Sequence, residues 1–357
     1  MHISDHSFAL AVAIGAFFLA VFPVNLYLLT GWKVRRDKLL SYLNPQALAV
    51  YYSQFPWTNS SEANLAERFR DQFGYLYGRR HYIVPVLLFT ILSALGIYGI
   101  FSTVEVWRGV SHHGLRLETP TVYAILGGFV WCLSDELSRI RGRDLSAGDI
   151  YNWSFRLLLA VPFGYALATI AKDEFAAPIA FFLGAFPTQT LMLIARRIAV
   201  QKLSLGDQQQ ATKLELESLQ SIGRSNAEAF QDEGVDTISA LAWVDPVDLT
   251  IRTNFDFNYV LDCMGQALLY VYFEDKTRQL FKLSLRGAQE AIVLVRNLET
   301  VCVPFDETQV LTTTQKTAKA TLQAIASTLG ISEAATYSTL NQVAQDPYAQ
   351  FISKVWY

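Results

Sequence analysis

Side chains able to do chemistry are sparse in this chain and stand in pairs rather than constellations. His112-His113 share one short loop, with Glu105 and Glu118 some residues away, and no HxxxH or HxxE spacing converges ligands on a metal. Asp135-Glu136 has the makings of an acid–base pair. With Arg139, Arg141 and Arg143 beside it at a membrane boundary, a charge-compensated helix end is the plainer reading. Glu274-Asp275 and Asp306-Glu307 fall in turn-like breaks and read as solvated. Cys132, Cys263 and Cys302 are far apart and show neither pairing nor metal spacing. No phosphate loop, dinucleotide fingerprint, nucleophile elbow or zinc-protease pattern occurs. The chain is therefore expected to hold no catalytic residue, metal or cofactor, and not to be an enzyme.

Apolar residues make up 52% of the 357 and charged residues only 17%, below the ~25% usual for a soluble domain. The depletion is local. Met1–Ala195 holds 15 Lys/Arg against 13 Asp/Glu, and Arg196–Tyr357 holds 14 against 19, so the halves carry +2 and −5. The weakly basic half contains five apolar runs near residues 8–29, 82–101, 120–134, 157–171 and 176–195. A bilayer takes ~20 apolar residues of helix. Three or four spans result if the short runs at 120–134 and 157–171 do not cross. The first run lacks the preceding basic residues of a cleaved signal and reads as a retained helix.

The Lys/Arg distribution orients these runs. Eight fall between Lys33 and Arg80 and four between Arg139 and Arg156, and Arg196, Arg197 and Lys202 follow the last run, making 15 on one side. The other side has three: Arg108, Arg116 and Lys172. By the positive-inside rule the N-terminus lies outside and the C-terminus in the cytoplasm. The inner loop 33–81 is patterned: Asn44-Pro45 reads as a cap and first helical residue, and Leu65, Phe69, Phe73 and Leu76 form one apolar face. That amphipathic stretch suits either the membrane surface or the cytosolic domain. Small residues recur four apart at Ala11/Gly15, Ala124/Gly128, Gly164/Ala168 and Ala180/Gly184, a spacing that lets membrane helices approach closely. Gly184 and Pro187 break the last run and are the candidate gate. The span cores hold no ionisable group, so a proton- or ion-coupled carrier is not expected, whereas a passive pore stays open.

Residues 201–213 read as a polar linker, and 214–357 as an all-helical domain without a strand or hairpin signal. Gly330 stops one helix, Ser332 caps the next, and Asp346-Pro347 opens a last one with Tyr348, Phe351, Ile352, Val355 and Trp356 on a face. Within this half, Leu219, Ile222, Gly223, Ala227 and Phe230, followed by Gly234, Val235, Ile238, Leu241 and Asp245-Pro246, resemble the helix-hairpin-helix family. Its pattern is L-x-x-I-G-x-x-x-A-x-x-L, then a glycine and a second short helical pair. The resemblance covers about thirty residues of the chain (Leu219–Leu249), and Ser221 stands where the family usually has its first hairpin glycine.

Many members of that family hold DNA phosphates on hairpin amides, and others dock proteins or act as scaffold. Residues 215–256 carry nine Asp/Glu against Arg224 and Arg252, a net of −7, which repels a phosphate backbone. Nucleic acid is therefore a disfavoured partner. The expected fold is all-α: a polytopic bundle over 1–200 and a cytosolic helical domain over 214–357. The expected function is a multi-pass, bacterial-type plasma (inner) membrane protein whose partners are the bilayer and either another protein or a second copy. Arg224, Asp232, Asp236 and Trp243 form the candidate interaction surface. A different reading is an oligomeric, defence-type pore or membrane-disrupting effector gated by the cytosolic domain, and a weaker one is a membrane tether for DNA.

Overall fold

The computed structural model describes residues 5–55, 64–107, 116–142, 145–170, 175–186, 215–301, 303, 305 and 310–356. Among these every regular element is helical, and no strand occurs. His112, His113, Lys172, Pro187, Arg196, Arg197, Cys302, Asp306, Glu307 and the linker 201–213 lie outside the described residues. The chain divides into two compact units: residues 1–37 with 71–210, and residues 38–70 with 211–357. The division differs from the sequence boundary at residue 201, because 38–70 pack with the C-terminal part.

The first unit is built from α1 (Asp5–Tyr42) as far as Asp37, α4 (Arg80–Trp107), α5 (Thr119–Gly142), α6 (Ala147–Ile170) and α7 (Ala176–Ala185), with the end of α3 (Leu65–Tyr77). Two stretches, Leu10–Leu29 and Leu65–Val104, are long and apolar enough to cross a membrane, at mean hydropathies of 2.2 and 2.3. Only 22% and 28% of those windows are buried inside the protein, so most of their apolar side chains face outward. The other three expected spans do not meet that measure. Charges interrupt α5 (Asp135, Glu136, Arg139, Arg141) and α6 (Asp149, Arg156), and the described part of α7 has 10 residues.

Small residues set the packing of this unit. A Cβ on Gly184 would fall on the carbonyl oxygen of Ala124, and one on Gly127 would fall on that of Phe181, so α5 and α7 touch backbone to backbone. Gly164 on α6 likewise abuts the backbone of Thr121. These contacts use the Ala124/Gly128, Ala180/Gly184 and Gly164 positions, whereas Gly15 on α1 has nothing within 4 Å of a Cβ. Below them the core closes over Val24, Phe89, Ile125, Cys132, Trp153 and Leu157, with the Phe89 and Trp153 rings 5.7 Å apart.

The second unit contains α2 (Pro45–Gln54), α8 (Arg224–Asp232), α9 (Ile238–Trp243), α10 (Pro246–Thr253), α11 (Phe257–Phe273), α12 (Thr277–Leu280), α13 (Ala288–Leu298), α14 (Thr313–Leu329), α15 (Glu333–Gln345) and α16 (Pro347–Trp356). Local chemistry fixes their ends. The side chains of Asn44, Thr237, Asp245, Asp256, Thr312 and Ser332 each accept a backbone N–H at a helix start. Gly234 and Gly330 take left-handed φ values of 80° and 67° at helix ends.

The helix that Asn44-Pro45 opens, α2, packs within the C-terminal unit. Tyr51 lies 5.8 Å from Phe351 of α16, Phe55 lies 5.5 Å from Tyr348, and Asn44 Nδ2 donates to the Lys354 carbonyl at 2.6 Å. The buried side of α16 is Ala349, Phe351, Ile352 and Ser353. Trp356, expected on that face, is 47% exposed because it ends the helix.

Candidate functional site

Two places carry the residues singled out by sequence, one in each unit. In the C-terminal unit Leu219, Ile222, Ala227, Phe230, Val235, Ile238 and Leu241 are all buried and hold α8 and α9 together. Ser221 takes a φ of 65°, the left-handed conformation that glycine adopts most easily, and Gly223 is the N-cap of α8. The turn between them is saturated from within the chain. Gln266, fully buried on α11, accepts the Gln220 N–H at 2.8 Å through Oε1 and donates to Asp262 at 2.9 Å. Tyr259 donates its hydroxyl to the Ser221 carbonyl at 2.9 Å, and Asn226 donates to the same Tyr259 oxygen at 2.8 Å.

Charges here are also spoken for. Arg224 pairs with Glu228 at 2.9 Å and Glu217 at 3.8 Å, and Arg252 with Glu233 at 2.8 Å and Asp248 at 3.2 Å. Both cations of the 215–256 stretch therefore meet carboxylates of the same chain. Arg286 pairs with Asp262; burial pushes that carboxyl above the usual range, and the guanidinium acts the other way. Burial likewise pushes Asp245 up to about 6, although the Asp248 and Val247 amides and the Tyr51 hydroxyl all donate to it.

Arg224, Asp232, Asp236 and Trp243 are all exposed, Trp243 by 41%. Arg224 and Asp232 occupy the two ends of α8, Asp236 precedes the N-cap of α9, and Trp243 closes α9. Arg224 turns to Glu217 and Glu228 rather than to Asp232 or Asp236. The two aspartates and the tryptophan are thus presented outward.

In the N-terminal unit Gly184 is where α7 stops: Ala185 is its last residue, and Phe186 is extended, with a ψ of 145°. The Gly184 carbonyl accepts Nε and Nη2 of Arg156, at 2.9 and 2.7 Å, and the same guanidinium lies 4.3 Å over the Trp131 ring. Arg156, counted from sequence among the basic residues on the inner side, is 7% exposed and serves as the cap of α7. A helix end without further N–H donors needs such a donor for its last carbonyls. The signal was present as one arginine inside the apolar run WSFRLLLA.

The Asp135-Glu136 pair separates into two environments. Asp135 fits the charge-compensated reading, accepting from Trp153 Nε1 at 2.8 Å and pairing with Arg139 at 3.6 Å; Arg139 also reaches Asp149 at 3.6 Å. Glu136 points inward and is 1% exposed. Arg35, Glu136, Asp149 and Arg156, which all lie just beyond the apolar runs, are buried as well. Each lies at the edge of an apolar run, where a charge reads from sequence as part of a loop.

Among the described residues no group of three His, Cys, Asp or Glu side chains is placed to hold a metal ion, and Cys132 and Cys263 are buried free thiols. Compared with protein-family models, curated proteins and solved structures, the chain finds no match.

Proposed function

We propose that this is a multi-pass membrane protein whose C-terminal helical unit is a docking module on the cytoplasmic side, engaging a protein partner or a second copy. The observation that carries the membrane part is the outward display of large apolar side chains on all five helices of the first unit. Phe18, Leu19 and Phe22 on α1, Val84, Leu87 and Leu95 on α4, Val130 on α5, Phe155 and Leu158 on α6, and Phe182 on α7 are each at least half exposed. A water-soluble monomer rarely displays apolar surface so widely, whereas lipid accepts it. Five spans, N-terminus outside, also agree with the 15-to-3 division of Lys and Arg.

Docking rather than nucleic-acid binding is favoured by the hairpin at Gln220–Gly223. Its Gln220 amide is occupied by Gln266, and both neighbouring arginines are neutralised, so a phosphate backbone meets carboxylates. We read the element as a helix-hairpin-helix-like scaffold with Asp232, Asp236 and Trp243 as the exposed contact residues. Charge reversal by Asp232→Lys with Asp236→Lys is expected to reduce cross-linked partner or self-capture by the full chain at least tenfold. Both sites are exposed, so the fold should be kept. Capture equal to wild type would remove this face from the account.

The oligomeric-pore reading is supported by one observation. The small-residue pairs of α5, α6 and α7 are used inside the chain, while Gly15 on α1 is left open for another helix.

A further inference from the structure

Among the described residues Glu136 is the one buried acidic side chain of the first unit that makes no ion pair or hydrogen bond. It is 1% exposed, and neither carboxyl oxygen makes a hydrogen bond among the described residues. The other buried titratable groups of the first unit, among the described residues, are Tyr27 and Arg35 on α1, Tyr82 on α4, Cys132 on α5, and Asp149 and Arg156 on α6, with Asp135 and Arg139 beside Glu136 on α5. None of them is bonded to it. Arg139 is shared by Asp135 and Asp149, Arg156 is held by the Gly184 carbonyl and Trp131, and Tyr82 donates to the Leu145 carbonyl. The backbone N–H of Val24 on α1 lies near Glu136 but makes no hydrogen bond to it.

An isolated carboxylate in such surroundings loses its hydration with nothing in return, a cost that paired or hydrated charges avoid. A metal cation is a poor solution, since hard cations take about six oxygen ligands and the neighbouring polar atom here is a donor. A proton needs no further ligand. We infer that Glu136 is a proton-binding site of the helix bundle, whose occupancy lets α5 lie against α1 at Val24. Loss of the proton places a bare charge in that seam, and the seam must then open to water. The site rests on burial within the first unit and stands whether or not the helices cross a bilayer.

Infrared spectroscopy of the purified full chain tests this directly. At neutral pH the wild type is expected to show the C=O stretch of a protonated carboxylic acid, absent from Glu136→Gln, which keeps the shape and neutrality of the acid. Asp135→Asn should keep the band, since Asp135 is paired. A wild-type spectrum with carboxylate bands only overturns the inference. So does an acid band that survives in Glu136→Gln or vanishes in Asp135→Asn.

Discussion

Deleting Asp346–Tyr357 is expected to unfold the C-terminal unit. The deletion removes Ala349, Phe351 and Ile352, each 0% exposed, and strips the cover from Tyr51 and the partner from Asn44. Truncating one buried Phe to Ala costs roughly 3–5 kcal/mol, through lost transfer energy and the cavity left behind. A domain's whole stability is only about 5–15 kcal/mol. Losing the entire face of α16 therefore exceeds what the unit can spare, and Phe351→Ala alone should take a large share. Limited proteolysis of the full chain reads this out: the deletion should be cut throughout 215–345 under conditions where the wild type resists. Trp356→Ala, at an exposed helix end, should match wild type. Phe351→Ala with wild-type resistance and an unchanged unfolding temperature would show that α16 is not part of this core.

Gly184→Leu is expected to break the α5–α7 contact. Even a methyl group at this position collides with the Ala124 carbonyl, and the obstruction is backbone, which cannot rotate away. Overpacking of a well-filled interior costs about 1–3 kcal/mol and more when backbone must move. Displacing α7 also takes the Gly184 carbonyl from the buried Arg156 guanidinium; hydrogen bonds to charged groups contribute about 1.5–3 kcal/mol. Thermal denaturation in detergent, followed by the monodispersity of the soluble fraction, should show a clear loss for Gly184→Leu. Gly15→Leu, with open space around it, should behave as wild type. Equal stability of the two variants would mean that Gly184 is a flexible break rather than a packing residue.

What could be read from sequence follows from where the determinants lie. Helix ends were legible because their chemistry is local: Asn44-Pro45, Asp245-Pro246, Ser332 and Gly330 each act on the next few residues. The all-helical class was legible from periodicity. The apolar runs near 8–29 and 82–101 fall in helices that meet the measure for crossing a membrane.

Long-range choices were not legible. Nothing in residues 38–54 says that Tyr51 will meet Asp245 and Phe351, partners that lie hundreds of residues away. The same holds for Arg156. Its type marks a loop edge under the positive-inside rule, and only the approach of α7 turns it into a cap. Of Asp135 and Glu136, adjacent in sequence, one faces Trp153 and Arg139 and the other the helix interior. Adjacent helical residues point ~100° apart, so a charged pair at a boundary is read as a unit only by ignoring that rotation. Arg224, Asp232, Asp236 and Trp243, the candidate interaction residues, are exposed. Their mutual placement was outside the reach of local pattern.

The central claim is a multi-pass chain with its C-terminal unit on the cytoplasmic side, and single-cysteine labelling in intact cells tests it most directly. With Cys132, Cys263 and Cys302 replaced, one cysteine is introduced at His112, Arg141 or Asp232 and exposed to a membrane-impermeant maleimide. The account predicts that His112→Cys reacts in intact cells, while Arg141→Cys and Asp232→Cys react only after permeabilisation. Labelling of Asp232→Cys in intact cells, or equal labelling of all three in intact cells, would contradict it.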